Sequence, residues 1–429
     1  MDTISAWGAL TGLILAIILI IRKVHPVYAL MAGAFFGGLI GGCQTSRTVT
    51  YMLEGAAGIM PATLRVISAG VLAGALIESG AAKKIAQTLL AKVGESQALF
   101  ALAIATMILT MVGVFVDVAV ITVAPIALAV GWRANLSRSA ILLAMIGGGK
   151  AGNIMSPNPN TIVLSENFNI PLTNLMLAGI LPAIGGVFVT CLMARWIRNR
   201  GSRLTQEEVG EATVENKDGA SVAAEISFWA AISGPVVAIV LLALRPTLGI
   251  QIDPLVALPV GGMAGLLFMG KISSINHCAS AGLAKMAPVA LLLIGTGCLA
   301  GIIGHSDLKD WVTHLINACG VPTVALAPLS GMLMSGATAS TVAGSTVASS
   351  VFGTTLLEAG VAPLAAAIMI HSGATVFDTM PHGSFFHASG GSVQMSMGER
   401  LKLIPYEAVV GLVHTIIATV AFGIFRLFS

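Results

Sequence analysis

Charge is almost absent over stretches of about twenty residues, repeatedly, along this chain. That single feature leaves few folds open. A run of that length, wound as a helix at 1.5 Å per residue, matches roughly 30 Å of bilayer hydrocarbon. Charged residues make up 10% of the 429, where a soluble domain carries about 25%. So few charges cannot cover a water-facing surface. In hydrocarbon each backbone N–H and C=O must be satisfied within the chain, which helices achieve. These features point to an all-α polytopic membrane protein.

The first run, Ile4 to Ile21, has no basic region before it and no small-residue cleavage site after it, so a retained span is expected and not a signal peptide. Cys43, Cys191, Cys278, Cys298 and Cys319 are scattered without C-x-x-C spacing; they suit small buried hydrophobes better than disulfides or metal ligands. A net charge of +3 without a basic stripe gives no nucleic-acid footprint. There is neither a G-x-x-x-x-G-K-[ST] loop nor an H-E-x-x-H pair, so no cofactor, no zinc and no nucleotide-driven pump are expected.

The apolar pattern breaks once, from Arg195 to Glu225, where four arginines run into a mainly acidic stretch. Residues 1–200 and 226–429 are expected to be two membrane repeats, joined by a charged cytoplasmic linker over 201–225. His25-Pro26 opens one segment and Asp253-Pro254 another. Ala69 to Gly80 resembles Thr296 to Ser306, and Met145-Ile146-Gly147 lies 224 positions before Met369-Ile370-His371. Duplicated halves with Gly/Pro-interrupted segments are a transporter pattern. Placing Arg22-Lys23, Lys83-Lys84, Arg133 with Arg138, and the Arg195 cluster inside gives the first half an odd number of crossings. The repeats are then inverted. Lys271, Arg400 and Lys402 also fall inside, while Arg245 and Lys309 fall outside. About ten transmembrane helices plus two re-entrant hairpins, over Gln97–Trp132 and Thr323–Phe352, account for the pattern; twelve or more full spans is the alternative.

Four polar segments interrupt the apolar runs. Asp117 follows Gly113-Val114-Phe115-Val116 at a hairpin tip; a carboxylate at membrane depth is a candidate proton carrier, or else a helix cap. Gly147-Gly148-Gly149-Lys150-Ala151-Gly152-Asn153 continues through Ser156-Pro157-Asn158-Pro159-Asn160-Thr161, a broken helix whose N–H groups can meet an anion. Lys150 can pair with Asp117, meet a substrate carboxylate or snorkel to the surface. Ser335 to Thr341 supplies small hydroxyls at the second tip. His371 to Ser384 brings His371, Asp378 and His382 to one break, where His371 or Asp378 can carry a proton. The expected substrate-binding residues are Asn153, Asn158, Asn160, Thr161, Ser335, Thr338, Ser340 and Thr375; Asp117, His371 and Asp378 are the proton-coupling candidates, with Lys150 as charge compensator.

On these same four segments the chain resembles the gluconate permease family, the gluconate:proton symporters of the ion-transporter superfamily, and the resemblance covers nearly its whole length. It implies proton-coupled uptake of a small hydroxylated organic acid across the bacterial inner membrane, with D-serine carried by one branch. It also implies a homodimer whose transport domain moves past a scaffold. Sodium coupling, a channel and a structural membrane subunit are the rival readings.

Overall fold

The computed structural model describes residues 3–91, 97–205, 226–248, 250, 252–308, 311 and 322–427. Residues 206–225 of the expected linker, Lys309, Cys319 and the side chain of Arg245 lie outside that description. The described residues are helical, with two isolated β-bridges and no strand.

In the first half the helices are α1 (Ala6–Ile21), α2 (Pro26–Ile40), α3 (Thr45–Gly58), α4 (Met60–Glu78), α5 (Ala81–Ala91), α6 (Ala98–Met111), α7 (Val116–Arg133), α8 (Arg138–Ile154), α9 (Pro159–Asn167) and α10 (Leu172–Trp196). The second half has α11 (Phe228–Leu248), α12 (Pro254–Phe268), α13 (Ile275–Gly304), α14 (Leu326–Thr338), α15 (Thr341–Glu358), α16 (Pro363–Ala374), α17 (Ser384–Ser392) and α18 (Met397–Ala418). Proline at the first turn starts both α2 and α12, where its missing N–H costs nothing. Helices α6 and α14 have 14 and 13 residues. At 1.5 Å per residue they are too short for roughly 30 Å of hydrocarbon. Each turns back at its end into α7 or α15, making the two expected hairpins.

The duplication is visible in register. Helices α7, α8, α9 and α10 begin 225 positions before α15, α16, α17 and α18, one more than the sequence match suggests. It is visible in packing too. Gly55 of α3 fits against Gly297 and Gly301 of α13, and Gly282 of α13 fits against Gly70 of α4, with no space for a Cβ at Gly55 or Gly282. Gly301 on the Tyr51 carbonyl is matched by Gly74 on that of Cys278. Each of these partners is related to its counterpart by a shift of 227, which also pairs Pro61 with Pro288. Helix α13 therefore corresponds to α3 and α4 together. Small residues permit such close crossings where lipid supplies no hydrophobic drive.

Helices α1–α4 and α11–α13 pack into one block, and α6–α10 with α14–α18 into another. At one end of the molecule Ile4 N–H donates to the His305 carbonyl (2.9 Å) and Ser5 N–H to that of Gly41 (3.0 Å). At the other, Ser137 and Arg138 bond to Arg198 and Ser202 (2.9 and 3.0 Å). That second end gathers the basic residues of the expected inner face.

One expectation needs correction. The run Gly147–Asn153 is not a helix break; it lies within α8, and the interruption comes at 155–158. The glycines there serve a close crossing, Gly148 meeting the Ala103 carbonyl and Gly152 that of Met107. Arg400, expected on the inner side, is fully buried, paired with Glu407 and lying 4.7 Å from the Phe386 ring centroid.

Over-packing the duplicated crossing tests its tightness. Gly282→Ala should destabilise the purified protein by about 1–3 kcal/mol in thermal unfolding. Gly58→Ala, whose added methyl meets nothing within 4 Å, should leave stability unchanged or raise it.

Candidate functional site

Between the two blocks lies a cavity of about 940 Å³. One wall is the α1–α2 corner (20–27) and the middle of α13 (284–292). The opposite wall is made by both hairpin tips and both helix breaks. Its mouth carries exposed Lys23, His25 and Lys285. Lys23 and Lys285 form no ion pair among the described residues. They stand toward the basic end of the molecule.

Helix geometry fixes the polarity of the inner wall. Phe115, Val116 and Asp117 are the start of α7, and Asn160 lies in the first turn of α9. Ser340 to Ala343 are the start of α15, and Gly383 to Phe385 that of α17. Four helix N-termini thus face one cavity. Each presents the positive end of a helix dipole; the first turns of α7 and α17 carry no side-chain cap, whereas Asn158 takes the Asn160 and Thr161 N–H groups at α9 and Ser340 that of Ala343 at α15. Ala339 takes a φ of 49° to turn the second tip, a conformation uncommon outside glycine.

The two breaks are tied by a buried ion pair. Lys150 of α8 reaches Asp378 Oδ1 at 2.7 Å and donates to the Thr375 carbonyl at 2.7 Å. Thr341 at the second tip donates to Asp378 Oδ2 at 2.7 Å, and His382 Nε2 lies 3.1 Å from the Ala337 carbonyl. The second tip is therefore bolted to the second break. In the 225-residue register Lys150 corresponds to Thr375 and Asn153 to Asp378. The duplication is broken where the charges sit.

The first break is held by neutral groups. Asn158 accepts from the N–H groups of Asn160 (2.9 Å) and Thr161 (3.2 Å), and its amide donates to the Asn153 carbonyl and Ser156 Oγ, both at 2.7 Å. Asn158 N–H donates to Thr161 Oγ1 (3.2 Å), completing a reciprocal cap.

Of the expected site residues, Asn153, Asn160, Thr338, Ser340, Asp117 and Asp378 line the cavity. Asn160 keeps its Oδ1 without a hydrogen-bond partner. Asp117 is half-buried, and its carboxylate meets no partner among the described residues. Asn158, Thr161, Ser335 and Thr375 do not reach the cavity; their side chains satisfy the broken backbone or bond within their own helix turn. Lys150 sits behind the wall. His371 is fully buried, with neither ring nitrogen hydrogen-bonded. Sequence reasoning missed Lys23, His25 and Lys285, because they belong to the other block. Lys285 alone carried a signal, as a charge inside a 30-residue apolar helix. It also missed His414, buried 3.3 Å from Thr375 Oγ1.

The fold agrees with what the chain is similar to. An uncharacterized transporter of Haemophilus influenzae is 58% identical over 99% of this chain and 100% of its own length. The high-affinity gluconate transporter of Escherichia coli K12 is 20% identical over 87% of this chain and 89% of its own. A crystal structure of the Alcanivorax borkumensis YdaH transporter superposes with a TM-score of 0.59 at 16% identity, over 88% of this chain and 89% of that one. Residues 229–319 match the Na+-H+ antiporter family, and residues 6–258 match the GntP family permease. The chain belongs to the GntP family of permeases, multi-pass membrane transport proteins and not enzymes.

Proposed function

We propose that this permease carries gluconate, or a related small hydroxylated organic acid, into the cytoplasm together with a proton. The convergence of four helix N-termini on one cavity carries that reading. Backbone donors and dipole ends favour an anion without committing a fixed positive charge to it. Hydroxyls of the ligand find partners in Asn153, Asn160 and the Ser340 side chain. Lys23 and Lys285 at the mouth draw anions toward it. The name gluconate comes from the relatives.

Coupling follows from the carboxylates. Asp378 already has Lys150, so its charge is compensated with or without ligand. Asp117 shares the cavity with the incoming anion and has no cation of its own. Two negative charges in one low-dielectric space repel, and a proton on Asp117 removes that cost. Asp117 is therefore the proton carrier in this reading, ahead of His371 and Asp378. One proton with one monoanion is electroneutral, so the pH gradient drives accumulation. The membrane potential, about 2.3 kcal/mol per charge per 100 mV, contributes nothing. Sodium coupling is the second reading, favoured by the antiporter match over 229–319.

Residues 1–200 and 226–429 are, in this scheme, inverted repeats joined by a cytoplasmic linker at 201–225. The protein sits in the bacterial inner membrane as a homodimer, as the resemblance implies.

Proteoliposomes with an inward proton gradient and no sodium should accumulate gluconate. Asp117→Asn should abolish that accumulation while preserving counterflow of labelled against unlabelled gluconate. Accumulation that needs sodium, or that survives Asp117→Asn, would count against the scheme. Lys150→Met should cost about 3–5 kcal/mol of stability, because it strands a buried carboxylate. Adding Asp378→Asn should recover much of that loss, measured by thermal unfolding of the purified double variant.

A further inference from the structure

The duplicated frame gives one wall of the cavity, the α1–α2 corner with Leu292, a counterpart elsewhere in the molecule. Gly12 against Gly33 and Gly37 is matched by Gly234 against Gly261 and Gly265, which relates α1 to α11 by 222 positions and α2 to α12 by 228. Ile20 then corresponds to Leu242, Val24, His25 and Pro26 to Ile252, Asp253 and Pro254, and Leu292, by the shift of 227, to Arg65. The first set lines the large cavity. Its counterparts line a second, small one of about 190 Å³ between α4, α9, the start of α10 and the α11–α12 corner. The molecule thus holds two equivalent clefts between the same two blocks, one wide and one nearly shut.

What shuts the small cleft is ionic. Arg65 makes a forked pair with Asp253, Nε to Oδ1 at 2.9 Å and Nη2 to Oδ2 at 2.6 Å. Its Nη1 lies 2.5 Å from Glu166 Oε2. Asp253 precedes α12, which packs on α4 in Arg65's own block. Glu166 is on α9, in the other block. Arg65 thus stands anchored by one carboxylate and reaches across the cleft to another. The three equivalent positions are Leu292 and His25, which line the wide cleft, and Gly391, which does not; they cannot form such a bridge.

We propose that Arg65, Glu166 and Asp253 form the outer gate of the permease, an ionic clasp that holds this end closed while the basic end is open. Opening requires only the Arg65–Glu166 bond to break, because the Arg65–Asp253 fork stays within one block. A guanidinium suits this role, since its planar fork serves two carboxylates at once. Such a gate requires that the chain be a permease with access from alternate sides; it depends on neither the substrate nor the coupling ion.

The test uses two equivalent probes, Val24→Cys and Ile252→Cys, each in full-length protein whose five native cysteines are replaced by alanine. Labelling by a membrane-impermeant maleimide is measured in right-side-out and inside-out vesicles. With the clasp intact, Val24→Cys should react fast from the inner side and Ile252→Cys slowly from the outer. Arg65→Gln should raise the Ile252→Cys rate by about tenfold or more, a shift of roughly 1.4 kcal/mol between the two states, and slow Val24→Cys. Glu166→Gln, which cuts only the bond between blocks, should do the same and decides the matter if Arg65→Gln fails to reach the membrane. Rates that stay unchanged, or that rise at both probes together, overturn the gate. Failure of gluconate uptake with the labelling pattern intact would overturn the substrate assignment alone.

Discussion

A lysine and an aspartate held out of water at the meeting of two broken helices organise the block formed by α6–α10 and α14–α18. Lys150 belongs to the first repeat and Asp378 to the second, so neither repeat alone can keep its charge compensated. Removing either partner leaves a stranded charge in hydrocarbon surroundings, which costs far more than the intact pair contributes. The pair fixes the register of α8 against the second break. Through Thr341 it also fixes the second hairpin tip. Four helices can then begin at one cavity, the first break having its backbone groups met by the side chains of Asn158 and Thr161.

Duplication supplies the frame, and departures from it supply the chemistry. Glycine-on-carbonyl crossings recur in both repeats with the same partners; there the halves are interchangeable. They differ where Lys150 faces Thr375, where Asn153 faces Asp378, and where Arg65 and Glu166 face Leu292 and Gly391. The first two differences place a single ion pair behind the cavity. The third makes one end of the molecule closable by charge and the other not. A two-fold frame with one-sided charges has two dissimilar ends.

Much of this was legible in the sequence. Charge scarcity gave the membrane class, and paired His25-Pro26 and Asp253-Pro254 starts marked the duplication. Polar interruptions located both tips and the second break. The glycine run before Lys150 misled, because glycine serves a helix break and a close crossing equally well. Only the approach of Ala103 and Met107 decides between them. Asn158 and Thr161 were sound as polar residues at a break, yet their capping roles depend on how the backbone turns there. Arg65, Glu166 and Asp253 had no local signal. Glu166 lies 101 positions after Arg65 and Asp253 another 87 beyond it, and an arginine near a helix start reads first as an interfacial anchor.

In the proposed scheme the carboxylate of the transported acid sits where the helix N-termini converge. Val342 lines the cavity in the first turn of α15, and a cysteine there, in otherwise cysteine-free protein, reports occupancy directly. Gluconate should slow its modification by a small thiol reagent in a saturable way, while the uncharged polyol sorbitol should not. Equal protection by sorbitol, or transport of gluconate without protection, would contradict the account.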